Sequence, residues 1–193
     1  MTVDVQSLGT FNQLAHEGAE QATRSMSQMT GIDAAVDVTK ISLVDRADIG
    51  EELGTSEFVG VQFGFEGALS GETVLVFDRG SSDTIVDALM PGADDPGMAQ
   101  SAVEEIGNIM MGGFVDGWAD YLSTNVDMTP PTYVERDGTD VLPEGALARA
   151  KEEHVFVFES QMTAVDEEID AYIYMLPEYG TFAEMLEASD DHD

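Results

Sequence analysis

One spacing occurs twice in this chain, intact in the second half and altered in the first, and it narrows the possible folds to those built from two related halves. Ser101, Glu105 and Asn108 stand at helical intervals, and Pro131 follows Asn108 after 22 intervening residues. At a shift of 92 positions toward the N-terminus the same slots hold Gly9, Gln13, His16 and Thr39. That shift also lays Phe11, Leu14, Gly18, Ala22, Met26 and Met29 on Val103, Ile106, Met110, Phe114, Trp118 and Tyr121. Six paired small or apolar positions at one offset argue for an internal duplication. The chain is therefore expected to be a single domain over 1–193, made of a half at 5–90 with the altered copy and a half at 98–189 with the intact one. The segment 91–96, rich in proline, glycine and aspartate, reads as the linker between them. A pair of copies of which one has decayed suits a site that must be built only once.

The intact copy lies on a helix expected over 98–124. At about 100° per residue, Ala99, Val103, Ile106, Met110, Phe114, Gly117 and Tyr121 fall on one side. Glu105 and Asn108 point the other way, one turn apart, with Gly112 at the next turn. Met111 is placed toward the exposed flank, where it could touch a partner, and Trp118 in the core. Four glycines (Gly107, Gly112, Gly113, Gly117) weaken the helix by about 0.8–1 kcal/mol each relative to alanine. Glycine retained at that cost suggests close approach: by another part of the chain on the inner side, and by a partner at Gly112.

The same grammar runs through both halves. The first reads as a long helix at 5–30 ended near Gly31, a strand at 34–44, a loop at 45–56, strands at 58–65 and 73–77, and a short helix to Met90 capped by Ser81 or Ser82. The second reads as the helix, a strand from Thr132 after Pro130-Pro131, a loop at 137–148, strands at 154–162 and 169–176, and a last helix opened by a Thr181–Glu184 capping box. The tail at 189–193 is read as disordered. Helices at the ends of each half and strands between them predict an α+β layer fold of two pseudo-twofold-related halves.

Charge excludes several function classes. The 193 residues carry 39 acidic and 7 basic side chains, a net charge of −32. Nucleic acid and anionic membrane surfaces need clustered lysine and arginine, so neither is an expected partner. The acids are spread along the whole chain, which fits a halophilic cytoplasm in which molar salt screens self-repulsion within about 3 Å. The rival reading is an acidic patch for a basic partner. There is no cysteine, hence no disulfide, thiolate metal site or cysteine nucleophile. No signal peptide and no run of 18 uncharged apolar residues is visible, so a soluble cytoplasmic protein without membrane insertion is expected. P-loop, dinucleotide, GxSxG and HExxH motifs are absent.

A carboxylate and a carboxamide on one exposed stripe leave three uses open, beside the plain one of a solvated helix face. A metal would need more ligands than two, and Glu104 and Asp116 diverge around the helix; His16, His154 and His192 are scattered. No metal is expected. General-base work by Glu105 would need a pocket that raises its pKa. Orienting a water and a partner's cation suits an active site completed by another protein, because an amide both donates and accepts hydrogen bonds.

The pattern Ser101-x3-Glu105-x2-Asn108-x22-Pro131 resembles the signature of the CheC family of chemotaxis phosphatases. The string EEIGNIMMGGFVDGWADYL, TPP before the following strand, EGALSGETVLVF in the first half and YMLPEYGTFAEMLEA near the end are similar to that family too. The resemblance implies an antiparallel sheet with the two long signature helices side by side. It implies hydrolysis of the aspartyl phosphate on the response regulator CheY, with Asn108 orienting the attacking water and Glu105 meeting the regulator's active-site lysine. Ser101 would sit at the edge of the contact and Pro131 would shape the backbone beneath it. Any Mg2+ would belong to CheY, so no cofactor of its own is expected. The receptor deamidase CheD would be a second partner, bound elsewhere. Gln13, His16 and Thr39 depart from the signature, so a single working site in the second half is expected. The alternative is a non-catalytic adaptor that binds CheD, CheY or motor-switch components. A monomer is expected, because the apolar helix faces are used between the halves.

Overall fold

Helix α1 (Val5–Thr30) stops where a glycine can turn the chain: Gly31 has φ +75° and its N–H donates to the Ser27 carbonyl at 2.9 Å. The computed structural model describes residues 5–44, 55–92, 95–121, 123–149, 155–164 and 169–178. Within them α1 leads to β1 (Ala34–Val44), β2 (Glu57–Gly67), β3 (Gly71–Asp78) and α2 (Arg79–Leu89). The second half follows with α3 (Pro96–Tyr121), β4 (Val126–Met128), β5 (Thr132–Asp137), a 3-10 turn (Gly138–Val141), α4 (Glu144–Arg149), β6 (Val155–Ala164) and β7 (Asp170–Pro177). Helix α3 begins with Asp95, whose carboxylate accepts from the Gly97 N–H at 2.7 Å, and with Pro96, which has no N–H to leave unpaired.

The strands form one antiparallel sheet in the order β1-β6-β7-β3-β2, and β4 and β5 both pair with the far edge of β2. The order reads alike from either end. β3 and β7 meet in the middle, β2 and β6 flank them, and β1 and the β4–β5 pair close the edges. This is the pseudo-twofold arrangement that the duplicated spacing predicts.

The two edges differ at one place. β1 runs along β6 from Ala34–Ala164 to Val44–Val155 with one irregularity between Val36 and Val38, and Thr39 pairs with Ser160. In the second half Pro130-Pro131 breaks the equivalent strand, because proline has no N–H for the ladder. Thr129 bridges the gap: its N–H donates to the Gly64 carbonyl at 2.9 Å and its Oγ1 accepts from the Gly64 N–H at 2.7 Å. Pro131, half-buried, sits at the break.

One face of the sheet carries Val59, Val61, Phe63, Phe65, Leu75, Phe77, Ala171, Ile173 and Met175 against the helices. α1 and α3 lie side by side there. A side chain added at Gly117 would stand 3.3 Å from the Gly18 Cα, so the two helices touch backbone to backbone. Trp118 is fully buried beside that contact, with its ring centroid 5.6 Å from that of Phe114. At the other face Phe58, Val74, Val76, Tyr174 and Leu176 form a second cluster with Val141 and Leu142.

That second cluster corrects the expected loop at 137–148. Val141 and Leu142 cover an apolar sheet face that would otherwise meet water, and the Gln62 side chain donates to the Val141 carbonyl at 2.8 Å; the segment accordingly turns into the 3-10 turn and α4. Other readings shift as well. Strand β4 was not legible, being three residues long. α2 is capped by Asp78, which accepts from the Ser81 N–H at 2.8 Å, and not by Ser81 or Ser82; the Ser81 hydroxyl accepts from the Asp170 N–H at 2.9 Å instead. Met29 is exposed. Met111 is buried, because α3 is wedged between α1, α2 and the sheet and so buries a wider arc than one stripe. The Thr181–Glu184 capping box, the tail and 45–54 lie outside the described residues. Among the described residues no helix is long and apolar enough to cross a membrane.

Candidate functional site on the exposed face of helix α3

The outer side of α3 is a narrow strip bounded by buried residues. Ala102, Val103, Ile106, Gly107, Met110, Met111, Phe114 and Val115 face inward, while Ser101, Glu105 and Asn108 are exposed. Glu105 and Asn108 lie three residues apart, which brings their Cβ atoms to about 5–6 Å on a helix surface. Neither has a hydrogen-bond or ion-pair partner among the described residues. The acid beside them is already engaged: Gln100 donates to the Glu104 carboxylate at 3.0 Å. Ser101 donates to its own helix, at the Gly97 carbonyl 3.0 Å away. The structure thus brings Ser101, Glu105 and Asn108 onto one accessible strip, with Gly112 one turn further on, and puts Pro131 at the strand break.

The matching strip on α1 is differently arranged. Gln13 and His16 are exposed as well. Gln13 donates to Glu17 at 3.0 Å, His16 lies 3.4 Å from Glu20, and Arg24 lies 4.0 Å from the same Glu20. These side chains are tied to one another across the helix surface, and no carboxylate occupies the slot that Glu105 fills.

A network next to Pro131 was not found from sequence. On β5, Tyr133 donates to Glu135 at 3.1 Å, and Glu135 pairs with Arg79 at the start of α2. The Arg79 guanidinium holds the Glu135 carboxyl below the usual carboxylate range, helped by the Tyr133 hydroxyl. The Tyr133–Glu135 alternation on a strand is visible in the sequence; Arg79, 56 residues away from Glu135, is joined to it only by the fold. Burial first, and then the bond to Glu135, push the Tyr133 phenol up to about 12. The folded chain therefore holds that proton more firmly than the unfolded chain, whose tyrosine titrates near pH 10. The stability it contributes is complete below about pH 10 and is lost as pH rises through about 12. Over that window, urea unfolding at fixed salt should show wild type losing more stability than Tyr133→Phe. Parallel profiles would contradict this assignment.

An acidic hollow of about 480 Å³, lined by Asp116, Asp120, Asp127 and their neighbours, lies at the C-terminal end of α3 and includes neither Glu105 nor Asn108. No group of three or more histidine, aspartate or glutamate side chains able to hold a metal ion occurs among the described residues.

Comparison with known proteins finds relatives of one family, and the stretch its model matches contains this strip. The CheC-like family model matches residues 98–135, from the start of α3 through the strand after Pro131. A Halobacterium salinarum protein with the provisional name CheY-P phosphatase CheC1 is 33% identical over 95% of this chain and 96% of its own length. The Bacillus subtilis flagellar motor switch phosphatase FliY is 28% identical over 61% of this chain, which corresponds to 34% of that longer protein. The crystal structure of Thermotoga maritima FliY superposes with a TM-score of 0.76 over the full length of both chains at 19% identity, a likeness of fold.

Proposed function

This chain belongs to the CheC-like family, and on that footing we propose that it removes the phosphoryl group from the aspartyl phosphate of the response regulator CheY. The observation that carries the reading is an exposed carboxylate and carboxamide, side by side on α3, with no partner among the described residues. Such a pair is incomplete as an active site and suited to entering another protein's.

In this reading Asn108 reaches into the regulator's pocket. Its carboxamide cannot take a proton at neutral pH, so it acts by holding: one polar atom fixes a water in line with the phosphorus. The water oxygen bonds to phosphorus as the bond from phosphorus to the aspartate oxygen breaks. The aspartate leaves as a carboxylate, and the water's proton departs with inorganic phosphate. Any Mg2+ at the phosphoryl group belongs to the regulator; phosphoryl transfer in such a setting needs little beyond positioning. Glu105 sets its carboxylate against the regulator's lysine, which fixes the angle at which α3 docks. The proline break at the half-buried Pro131 shapes the neighbouring strand edge.

The test is release of phosphate from phosphorylated regulator in molar salt, measured above the regulator's own decay. Wild type should accelerate it. The double variant Gln13→Ala, His16→Ala should remain within about twofold of wild type, since exposed side chains away from the site are ordinarily close to neutral. A loss of activity in that variant would move the site to α1. An adaptor without catalysis, the alternative, would bind the regulator and leave its decay unchanged.

A further inference from the structure

The four glycines of α3 do not share one reason for being glycine. A side-chain carbon at Gly107 would stand 2.6 Å from Val61, at Gly113 2.8 Å from Ser25, and at Gly117 3.3 Å from the Gly18 backbone. The fold itself keeps those three positions bare. At Gly112 an added carbon would meet nothing within 4 Å among the described residues. Its backbone is ordinary helix, since Gly112 is not among the residues with positive φ. Neither packing among the described residues nor the backbone geometry at Gly112 calls for glycine there, and helix propensity disfavours it.

The slot is nonetheless placed with respect to the site. Gly112 lies one turn beyond Asn108 and two beyond Glu105, on the same side of α3. The residue in the equivalent slot of α1 is Glu20, a long side chain that lies 3.4 Å from His16 and 4.0 Å from Arg24. The copy that has lost the carboxylate and the carboxamide has also filled this ground. The copy that keeps them leaves it open.

We infer that Gly112 is the point at which the main chain of the phosphorylated regulator closes on α3, and that the missing side chain sets how deeply Asn108 reaches into the regulator's pocket. This rests on the phosphatase reading and adds a specificity-determining position to it. Gly112 forms a contact of closest approach, so its replacement should act on docking while leaving the fold intact or firmer.

The experiment measures kcat and KM for phosphate release, together with thermal melts, for wild type, Gly112→Ala and Gly112→Leu at one molar salt concentration. Gly112→Ala should melt at or above the wild-type temperature, because the added carbon meets nothing within 4 Å among the described residues and the helix prefers alanine, and the melt of Gly112→Leu shows that its fold is kept. Gly112→Leu should raise KM by about tenfold or more, and Gly112→Ala by less, the order expected of a steric contact. Wild-type kcat and KM in Gly112→Leu would overturn the inference. Titration calorimetry against the beryllofluoride form of the regulator separates it from the parent reading. Wild type that binds without hydrolysis sinks the phosphatase reading alone, and the affinity of Gly112→Leu then decides the contact: tenfold weaker supports it, unchanged overturns it. Wild type that neither binds nor hydrolyses overturns both.

Discussion

Asn108→Ala is expected, on the proposed phosphatase function, to lower the rate of regulator dephosphorylation by roughly 100-fold, the scale on which misplacing a reacting group is felt. The substitution removes the only group proposed to hold the attacking water and leaves everything else on α3 in place. Asn108 is exposed and has no partner among the described residues, so its loss breaks no contact that holds the fold. Alanine is also the better helix former. Stability should therefore stay level or rise while turnover falls, and that opposition of signs separates a catalytic role from a structural one. The damage should fall on kcat, because binding is shared with Glu105 and the rest of the strip. Glu105→Gln keeps the shape and discards the charge, and it should act chiefly on KM. Phosphate release under single-turnover conditions reads both. An Asn108→Ala protein with the wild-type rate would remove the basis of the phosphatase proposal.

How far the sequence already held this result depends on whether the deciding interaction was local. The α1 boundaries follow from a helical stripe that ends at Gly31, and the outward placement of Glu105 and Asn108 follows from their angle on α3. The same angle misplaced Met111, because periodicity gives the direction of a side chain and not the number of elements that crowd round the helix. Pro131 was legible as a strand boundary, but the role of Thr129 in bridging the break was not: it depends on Gly64 across the sheet. The cap at Asp78 competed with two adjacent serines that looked equally able, and the choice was made by Asp170, whose N–H takes the Ser81 hydroxyl. The Arg79–Glu135–Tyr133 network and the order of the strands are likewise non-local. Nothing in the alternation of β3 or β7 says that these two strands will lie next to each other at the centre.

The contact that lets α3 present its strip at a fixed angle is its crossing with α1, and here the expected effect on stability is the largest. Trp118→Ala should cost about 3–5 kcal/mol, the usual range for removing a buried tryptophan. Trp118 is fully buried, and a carbon added at Gly18 would stand 2.9 Å from its Nε1 and 3.1 Å from the Phe114 ring. Gly18→Ala should thus be destabilising by itself, although alanine is favoured over glycine in a helix. With Trp118 already replaced by alanine the clash with the indole is gone, and the Phe114 ring, which packs beside the indole, can yield to the new methyl by moving into the vacated space. In that background Gly18→Ala should be neutral or stabilising. The pair should then be coupled by about 1 kcal/mol or more, as residues sharing one cavity commonly are. Urea unfolding of the four proteins at one molar salt concentration measures this, the fixed salt holding the screening of the −32 charge constant. Strictly additive changes would mean that the two helices do not bear on each other through Trp118. In that case the angle at which Glu105 and Asn108 face a partner would have to be set by the sheet beneath, through Gly107 against Val61.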